Sequence, residues 1–332
     1  MASLPGAILP TGFTAEILPF SINQARSVLS LSPTELLALE RGSNSVVYCT
    51  NAACRPVASA PRLNHGLAVH ENYLYASSDE FVYRWPILDD VWTVGGQETV
   101  VFNINRDGSG GAPFGHTTRT LAFDEAGTLY ISVGSDGNVD PDSFRSRIRS
   151  VDITQQFPVD FIEQPVFADG LRNEVGLAFD KHGVLWGVEN GADNLQRNDL
   201  GGDITENNPA EELNKFAQSG LHYGYPYCWT EYDLGVFGQG RGTVWTWPTF
   251  LGQVSDDQCR SSFASSEIAM PAHTAPLGIT FYSHSEQTSD ECEGAFPATM
   301  DGYAFVAFHG SWNRDVPTGY NVAYVPMDSE GN

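Results

Sequence analysis

Gly170-Leu171-Arg172-Asn173-Glu174-Val175-Gly176-Leu177-Ala178-Phe179-Asp180 is followed by a turn, Lys181-His182-Gly183, and then by Val184-Leu185-Trp186-Gly187-Val188. Leu177 to Phe179 alternate as a strand does, and Val184 to Val188 is rich in β-formers, so the stretch reads as a β-hairpin. Polar groups that a solvent face does not explain flank it. Arg172-Asn173 precedes the first strand, and the acidic loop Glu189-Asn190-Gly191-Ala192-Asp193 follows the second. Loops at one rim of a sheet protein commonly carry chemistry. The stretch runs on through Asn208-Pro209-Ala210-Glu211-Glu212-Leu213-Asn214 to Gly224-Tyr225-Pro226-Tyr227-Cys228.

The same strand-turn-strand phrase recurs. It is present at Asn64 to Val69 with Tyr73 to Ser78, at Thr120 to Asp124 with Thr128 to Val133, and begins again at Gly278 to Tyr282. Leu67, Leu121 and Leu177 fall 54 and 56 positions apart, and Ile279 lies 102 beyond Leu177. The last interval is about two periods, so a disguised copy is expected between Leu221 and Trp247. With an early hairpin at Leu36 to Leu39 and Ser45 to Cys49, the count reaches six. A repeat of this length built of hairpins predicts an all-β, six-bladed β-propeller forming a single domain over residues 1–332. A sandwich has similar hairpins but no reason to space them equally. Tyr303 to Phe308 and Tyr320 to Val325 read as strands, and Met327 to Asn332 as a turn without a return strand, so the last blade is expected to be incomplete. The best helical window, Ser21 to Glu40, is weak.

Among 332 residues there are 17 Lys and Arg against 41 Asp and Glu, a formal charge of −24. A phosphate backbone would be repelled, which argues against nucleic acid as a partner. No stretch is long and apolar enough to span a membrane as a helix. Five cysteines are present. Cys49 with Cys54 and Cys228 with Cys259 are read as disulfides of a secreted protein, with buried free thiols the alternative; Cys292 is left over. The N-terminus does not read as a signal peptide, so secretion requires a signal outside this chain.

Polar residues precede each phrase: Asn64-His65, Gly115-His116-Thr117-Thr118-Arg119, Arg172-Asn173 and Ala272-His273-Thr274-Ala275-Pro276. His309-Gly310-Ser311-Trp312-Asn313-Arg314 joins them. In a propeller these converge on one axial face, which would gather His65, His116, His273 and His309 with Arg172 and Arg314. Any one of these histidines alone reads more simply as structural; four of the eight at equivalent positions read as a site. Two Arg forks suit a carboxylate partner. A neutral His accepts a proton from a hydroxyl. Loop 189–193 offers the oxygens a Ca²⁺ requires, or is a solvated acidic turn. Trp229, Trp245, Trp247 and Trp312 can stack on a planar ligand or sugar; for Trp245 and Trp247 core filling is preferred. No Gly-X-Ser-X-Gly is present, and Gly108-Ser109-Gly110-Gly111 reads as a flexible loop.

The motifs at 115–120, 171–180, 209–214, 223–228, 272–278 and 308–314, taken in this order, resemble the soluble glucose and sorbosone dehydrogenases. These are quinoproteins that use pyrroloquinoline quinone (PQQ), and the resemblance is nearest to the fungal pyranose dehydrogenases of auxiliary activity family twelve. It implies a six-bladed propeller with the quinone on its axis and Ca²⁺ beside it. It also implies oxidation of a sugar hydroxyl, usually anomeric, with electrons passed to a haem domain or dye. By motif, His116 resembles the general base. Arg172, Asn173 and Asn190 resemble groups that hold the quinone, and the carbonyls of Gly191 and Ala192 resemble the Ca²⁺ ligands. His65, His273, His309, Trp312 and Arg314 would line the same basin. Ala192 stands where some relatives have Pro, a change that keeps the carbonyl. Two further readings remain at this stage: a metal-dependent lactonase using Glu189 and Asn190, and a binding propeller without catalysis.

Overall fold

The computed structural model describes every residue except 1, 4, 5, 12, 106–114, 143, 285–294, 329 and 332; Cys292 and the loop 108–111 lie outside the described residues. Five sheets of three to five strands follow one another along the chain. The first holds Ala25–Ser32, Glu35–Glu40, Ser45–Thr50 and Cys54–Ser59. The second holds Leu63–His70, Tyr73–Ser78, Val82–Pro86 and Glu98–Phe102. Leu121–Phe123, Thr128–Val133, Arg147–Asp152 and Val166–Asp169 build the third. Glu174–Phe179, Leu185–Glu189, Glu211–Phe216 and Ile268–Met270 build the fourth. Pro276–Phe281, Ala304–Phe308 and Asn321–Val325 build the fifth. Two outer edges are covered in parallel by strands from further along the chain: Val159–Asp160 on Glu98–Phe102, and Leu221–His222 on Val166–Asp169. Covering an edge in this way removes unpaired backbone groups that would otherwise template association.

The first strand of each sheet packs against the first strand of the next, from Ala25–Ser32 through Leu63–His70, Leu121–Phe123 and Glu174–Phe179 to Pro276–Phe281. This is the radial arrangement of a β-propeller. Apolar residues fill the wedges: Leu37, Leu63 and Trp85 between the first two sheets, Tyr75, Leu129 and Ile131 next, then Ile148, Leu171 and Phe216, then Trp186, Leu213 and Phe308. The glycine within the repeated phrase has a steric cause. A Cβ on Gly66 would stand 2.2 Å from the carbonyl oxygen of Arg119, and one on Gly176 would stand 2.9 Å from Cα of Gly278. Neighbouring inner strands therefore cross too closely for a side chain. Around Gly278 nothing lies within 4 Å of the equivalent position. Among the described residues, Pro276–Phe281 has no comparable packing against Ala25–Ser32.

The expected six blades are thus corrected to five. The interval from Leu177 to Ile279 holds one sheet plus a long excursion, not two sheets. Between Leu221 and Trp247 the chain makes the edge strand Leu221–His222 and one arm of a hairpin, Cys228–Thr230, whose other arm is Val244–Thr246. A short helix, Asp256–Ser262, follows, its start closed by a capping box between Ser255 and Gln258. Trp229, Trp245 and Trp247 pack with Ala192, Leu200 and Leu234 into a satellite core. The window Ser21 to Glu40 is two strands. Leu29 and Leu31 pack inward while Val28 is exposed, which is a period of two. Both expected disulfides are present: Cys49–Cys54 across one turn, and Cys228–Cys259 joining hairpin to helix.

Candidate active site

In an antiparallel pair the start of the first strand and the end of the second lie at the same rim. Loops 115–120, 134–140, 170–173, 190–195, 271–275 and 309–320 therefore open on one face of the ring. Within it, Arg172 is the hub. Its guanidinium is buried and donates to the carbonyls of Asn190 (3.1 Å), Gly191 (2.6 Å) and Asn138 (3.2 Å) and to Oδ1 of Asn138 (3.1 Å). Asp193 pairs with it at 3.1 Å. The same Asp193 accepts from Nδ2 of Asn313 at 2.7 Å and stands 3.5 Å from Nδ1 of His273. Asn138 clamps the Asp193 backbone, accepting from its N–H and donating to its carbonyl, both at 2.6 Å. Asn190 donates from its backbone to the Asn173 carbonyl (3.0 Å) and from Nδ2 to that of Pro276 (2.8 Å).

His116 has a defined tautomer. Its Nδ1 faces the carbonyl of Ser135 at 3.1 Å and Oγ of Ser135 at 2.9 Å, and that hydroxyl itself donates to the Gly137 carbonyl at 2.6 Å. Both neighbours accept, so Nδ1 carries the proton and Nε2 presents a lone pair. Burial, then the nearby Arg172 cation, push the His116 pKa down to about 3. Arg119, fully buried, donates to the carbonyls of His116, Thr118 and Asp79 and to Oδ1 of Asn105, holding the histidine segment in place. Gly134 admits the close approach of His116 and Asn173, because a Cβ there would lie 2.5 Å from Oδ1 of Asn173 and 2.6 Å from Cβ of His116.

The structure brings together His116, Arg172, Asn173, Asn190, Gly191 and His273. Ala192 is buried, its side chain against the tryptophan cluster. His65 lies deeper, with Nδ1 3.2 Å from Arg26, and burial followed by that cation lowers its pKa to about 3. His309 is exposed and packs against Tyr320, and Trp312 is 80% exposed. Arg314 is tied to the Ala272 carbonyl and to Asn207 and Glu206 rather than to the hub.

Sequence reasoning quoted Glu211, Glu212 and Asn313 without giving them a role and overlooked Asn138 and Ser135. Glu211 accepts from the backbone N–H of Gly191 (2.7 Å) and of Ala275 (3.2 Å), which joins two of the loops. Beneath Arg172, Glu189 accepts that residue's backbone N–H. Nδ2 of Asn214 lies 3.1 Å from both Glu189 and Glu174. The signal was available: acidic side chains on strands whose neighbours are buried. Among the described residues no group of three His, Cys, Asp or Glu is arranged around a common point for a metal. A cavity of about 30 Å³ lined by Arg172, Glu189, Glu212, Tyr225 and Thr230 has room for a water.

Burial pushes Glu211 and Glu212 up to about 7 and holds Glu174 and Glu189 well above the usual carboxylate range. A carboxyl with a raised folded pKa keeps a proton that the unfolded chain has released. Stability therefore falls as pH rises from 4.5 through the folded values. His65 and His116, lowered from 6.5 to about 3, act oppositely, but only below 6.5. Above that pH the carboxylates act alone. The urea midpoint is expected to fall between pH 6.5 and 8, and to fall less in Glu174→Gln; a midpoint that holds or rises over that interval contradicts this.

The chain belongs to the TrAA12-like family, which it matches over residues 7–332. It is 30% identical to a PQQ-dependent pyranose dehydrogenase of Coprinopsis cinerea over 98% of this chain and 46% of that protein. It is 28% identical to a PQQ-dependent sugar dehydrogenase of Hypocrea jecorina over 92% and 74%. The chain thus spans about half the length of the first of these relatives. Among solved structures it is similar to the holo form of the pyranose dehydrogenase PQQ domain from Coprinopsis cinerea, with a TM-score of 0.82 and 27% identity over 100% of this chain and 84% of that one. A calcium structure of Trichoderma reesei carbohydrate-active enzymes family AA12 gives 0.82 and 27% over 98% and 82%.

Proposed function

We propose that this chain is the catalytic propeller of a PQQ-dependent dehydrogenase that oxidises a pyranose or related aldose hydroxyl, at C1 by preference. The observation that carries the reading is the neutral His116, its Nε2 lone pair fixed by Ser135, beside the buried Arg172 and Asn173. The residues fit the cofactor. Arg172 sets a buried cation there, its five N–H groups already used on Asn138, Asn190, Gly191 and Asp193, so it would attract a carboxylate by charge, and the Asn173 amide is a donor for one. The Gly191 carbonyl has a second lone pair beyond the one Arg172 uses. Oδ1 of Asn313, buried at the same place, has no hydrogen-bond partner and suits a cation or a donor. The carbonyl of Ala192 would be the second oxygen for Ca²⁺, and Asn190 and His273 would help to hold the quinone.

When bound, PQQ supplies a hydride-accepting carbon and Ca²⁺ the Lewis acidity that makes it electrophilic. His116 accepts the sugar hydroxyl proton at Nε2, and the Ser135 carbonyl and hydroxyl stabilise the resulting imidazolium through Nδ1. Asp193 and Asn138 hold Arg172 in its place. The two disulfides and the relatives support secretion, and we assign the electrons to a haem domain or another acceptor outside this chain. Reconstitution tests the reading: the protein with PQQ and Ca²⁺ is expected to reduce an artificial acceptor with an aldose, and to lose this activity when EDTA removes the metal. Turnover that ignores both additions, or none with any sugar despite tight PQQ binding, refutes it.

A further inference from the structure

Trp312 sits on the loop between the second and third strands of the fifth sheet, at the same rim as His116 and Arg172. The loop is built to be stiff. Ser311 donates its N–H to the Thr318 carbonyl at 2.9 Å, and Thr318 returns its own to Oγ of Ser311 at 3.1 Å. At its neck Gly310 and Gly319, with φ of +107° and +102°, approach so closely that a Cβ on Gly319 would lie 2.1 Å from Cα of Gly310. Gly310 donates to the Thr274 carbonyl at 2.9 Å, beside His273. Asn313 reaches into the hub through Asp193, Arg314 holds the Ala272 carbonyl at 3.1 Å, and the N–H of Asp315 reaches Glu206 at 3.1 Å. With both neighbours fixed, the indole is left 80% exposed, whereas Trp85, Trp186, Trp229, Trp245 and Trp247 are all buried.

A rigid turn that holds a large apolar ring in water presents that ring to a ligand. We propose that Trp312 is the platform on which the C–H face of a pyranose stacks, outside the cofactor, so that the sugar's reactive hydroxyl is presented to His116. The proposal rests on the dehydrogenase reading and assigns Trp312 to substrate rather than to the quinone. A ring exposed to this extent gives a weak, exchangeable contact, which suits a substrate. The groups suited to a resident carboxylated cofactor, Arg172 and Asn173, are buried.

The test uses the holoprotein, wild type and Trp312→Ala, with D-glucose, D-galactose, D-xylose and 2-keto-D-glucose as probes. Accepted sugars are expected to shield the exposed tryptophan from acrylamide quenching in the wild type and to change nothing in Trp312→Ala. The variant is expected to raise KM by about tenfold with kcat within about twofold, and Trp312→Phe to restore most of the loss; tenfold is about 1.4 kcal/mol of binding. PQQ affinity is expected to be unchanged. If sugars that the wild type oxidises leave the quenching of the wild type unaltered and Trp312→Ala keeps the wild-type KM, the platform is wrong and the dehydrogenase reading stands. If PQQ alone shields Trp312 and the variant binds PQQ more weakly, the ring belongs to the cofactor and the proposal is overturned. If the wild type oxidises no sugar with PQQ and Ca²⁺ bound, the reading beneath it fails and the platform with it.

Discussion

His116→Asn is expected to lower turnover of the reconstituted protein by about 10²- to 10⁴-fold, the range for removing a positioned general base. Asparagine is the informative replacement because its amide N–H₂ can still donate toward the Ser135 carbonyl, so the loop keeps a hydrogen bond while the Nε2 lone pair disappears. Arg119 continues to hold the 116–119 segment through the backbone carbonyls of His116 and Thr118. Folding and PQQ affinity are therefore expected to stay near wild type, and the loss to fall on kcat. The pH profile adds a second check. Burial and Arg172 keep His116 near 3 in the free site. Carboxylates bound at Arg172 would cancel the second of these causes, so the acid limb of kcat/KM in the holoprotein is expected above 3 and to vanish in His116→Asn. Near-normal turnover in the variant would remove His116 from the base role, and an acid limb that persists unchanged would assign it to another group.

How much of this was legible follows from which interactions are local. The hairpin at the centre of the chain is set by alternation and a turn, and the structure pairs Leu177 with Gly187 and Phe179 with Leu185 as the pattern requires. Asp180 closes that turn, accepting from Val184 N–H and from the indole of Trp186. The inner-strand phrase was readable because alternation and turn are local, and two of its copies, at Gly66 and Gly176, meet the same steric demand against the next strand. The blade count was not. Spacing alone cannot distinguish a degenerate blade from an inserted hairpin and helix, whose core of Trp229, Trp245 and Trp247 is as apolar as a blade. The hub was half readable. Arg172, Asn190 and His116 stand beside repeated phrases. Asn138 and Asp193, which fasten the site, are 55 positions apart and carry no local pattern. Ser135 fixes a tautomer, which no spacing reveals.

Arg172 is where the second large effect is expected, and two substitutions separate its structural from its binding role. Arg172→Ala leaves the carbonyls of Asn138, Asn190 and Gly191 and the carboxylate of Asp193 without their donor at a buried position. Removing one member of a buried ion pair costs about 3–5 kcal/mol. The urea midpoint is expected to drop accordingly, and PQQ binding to fall with it, which by itself does not identify a ligand contact. Arg172→Lys resolves the ambiguity. The ammonium keeps the charge opposite Asp193 and has three donors for five acceptors, so only part of the loss in Arg172→Ala is expected to be recovered. It cannot reproduce the planar fork that spans Gly191 on one side and Asn138 on the other and so positions the 138 and 190–193 loops. PQQ affinity, measured by equilibrium dialysis with Ca²⁺ present, is therefore expected to weaken at least about tenfold in Arg172→Lys, roughly 1.4 kcal/mol, with a urea midpoint above that of Arg172→Ala. A lysine variant that binds PQQ as the wild type does would confine Arg172 to bracing the 138 and 190–193 loops, and would move cofactor recognition to Asn173 and His273.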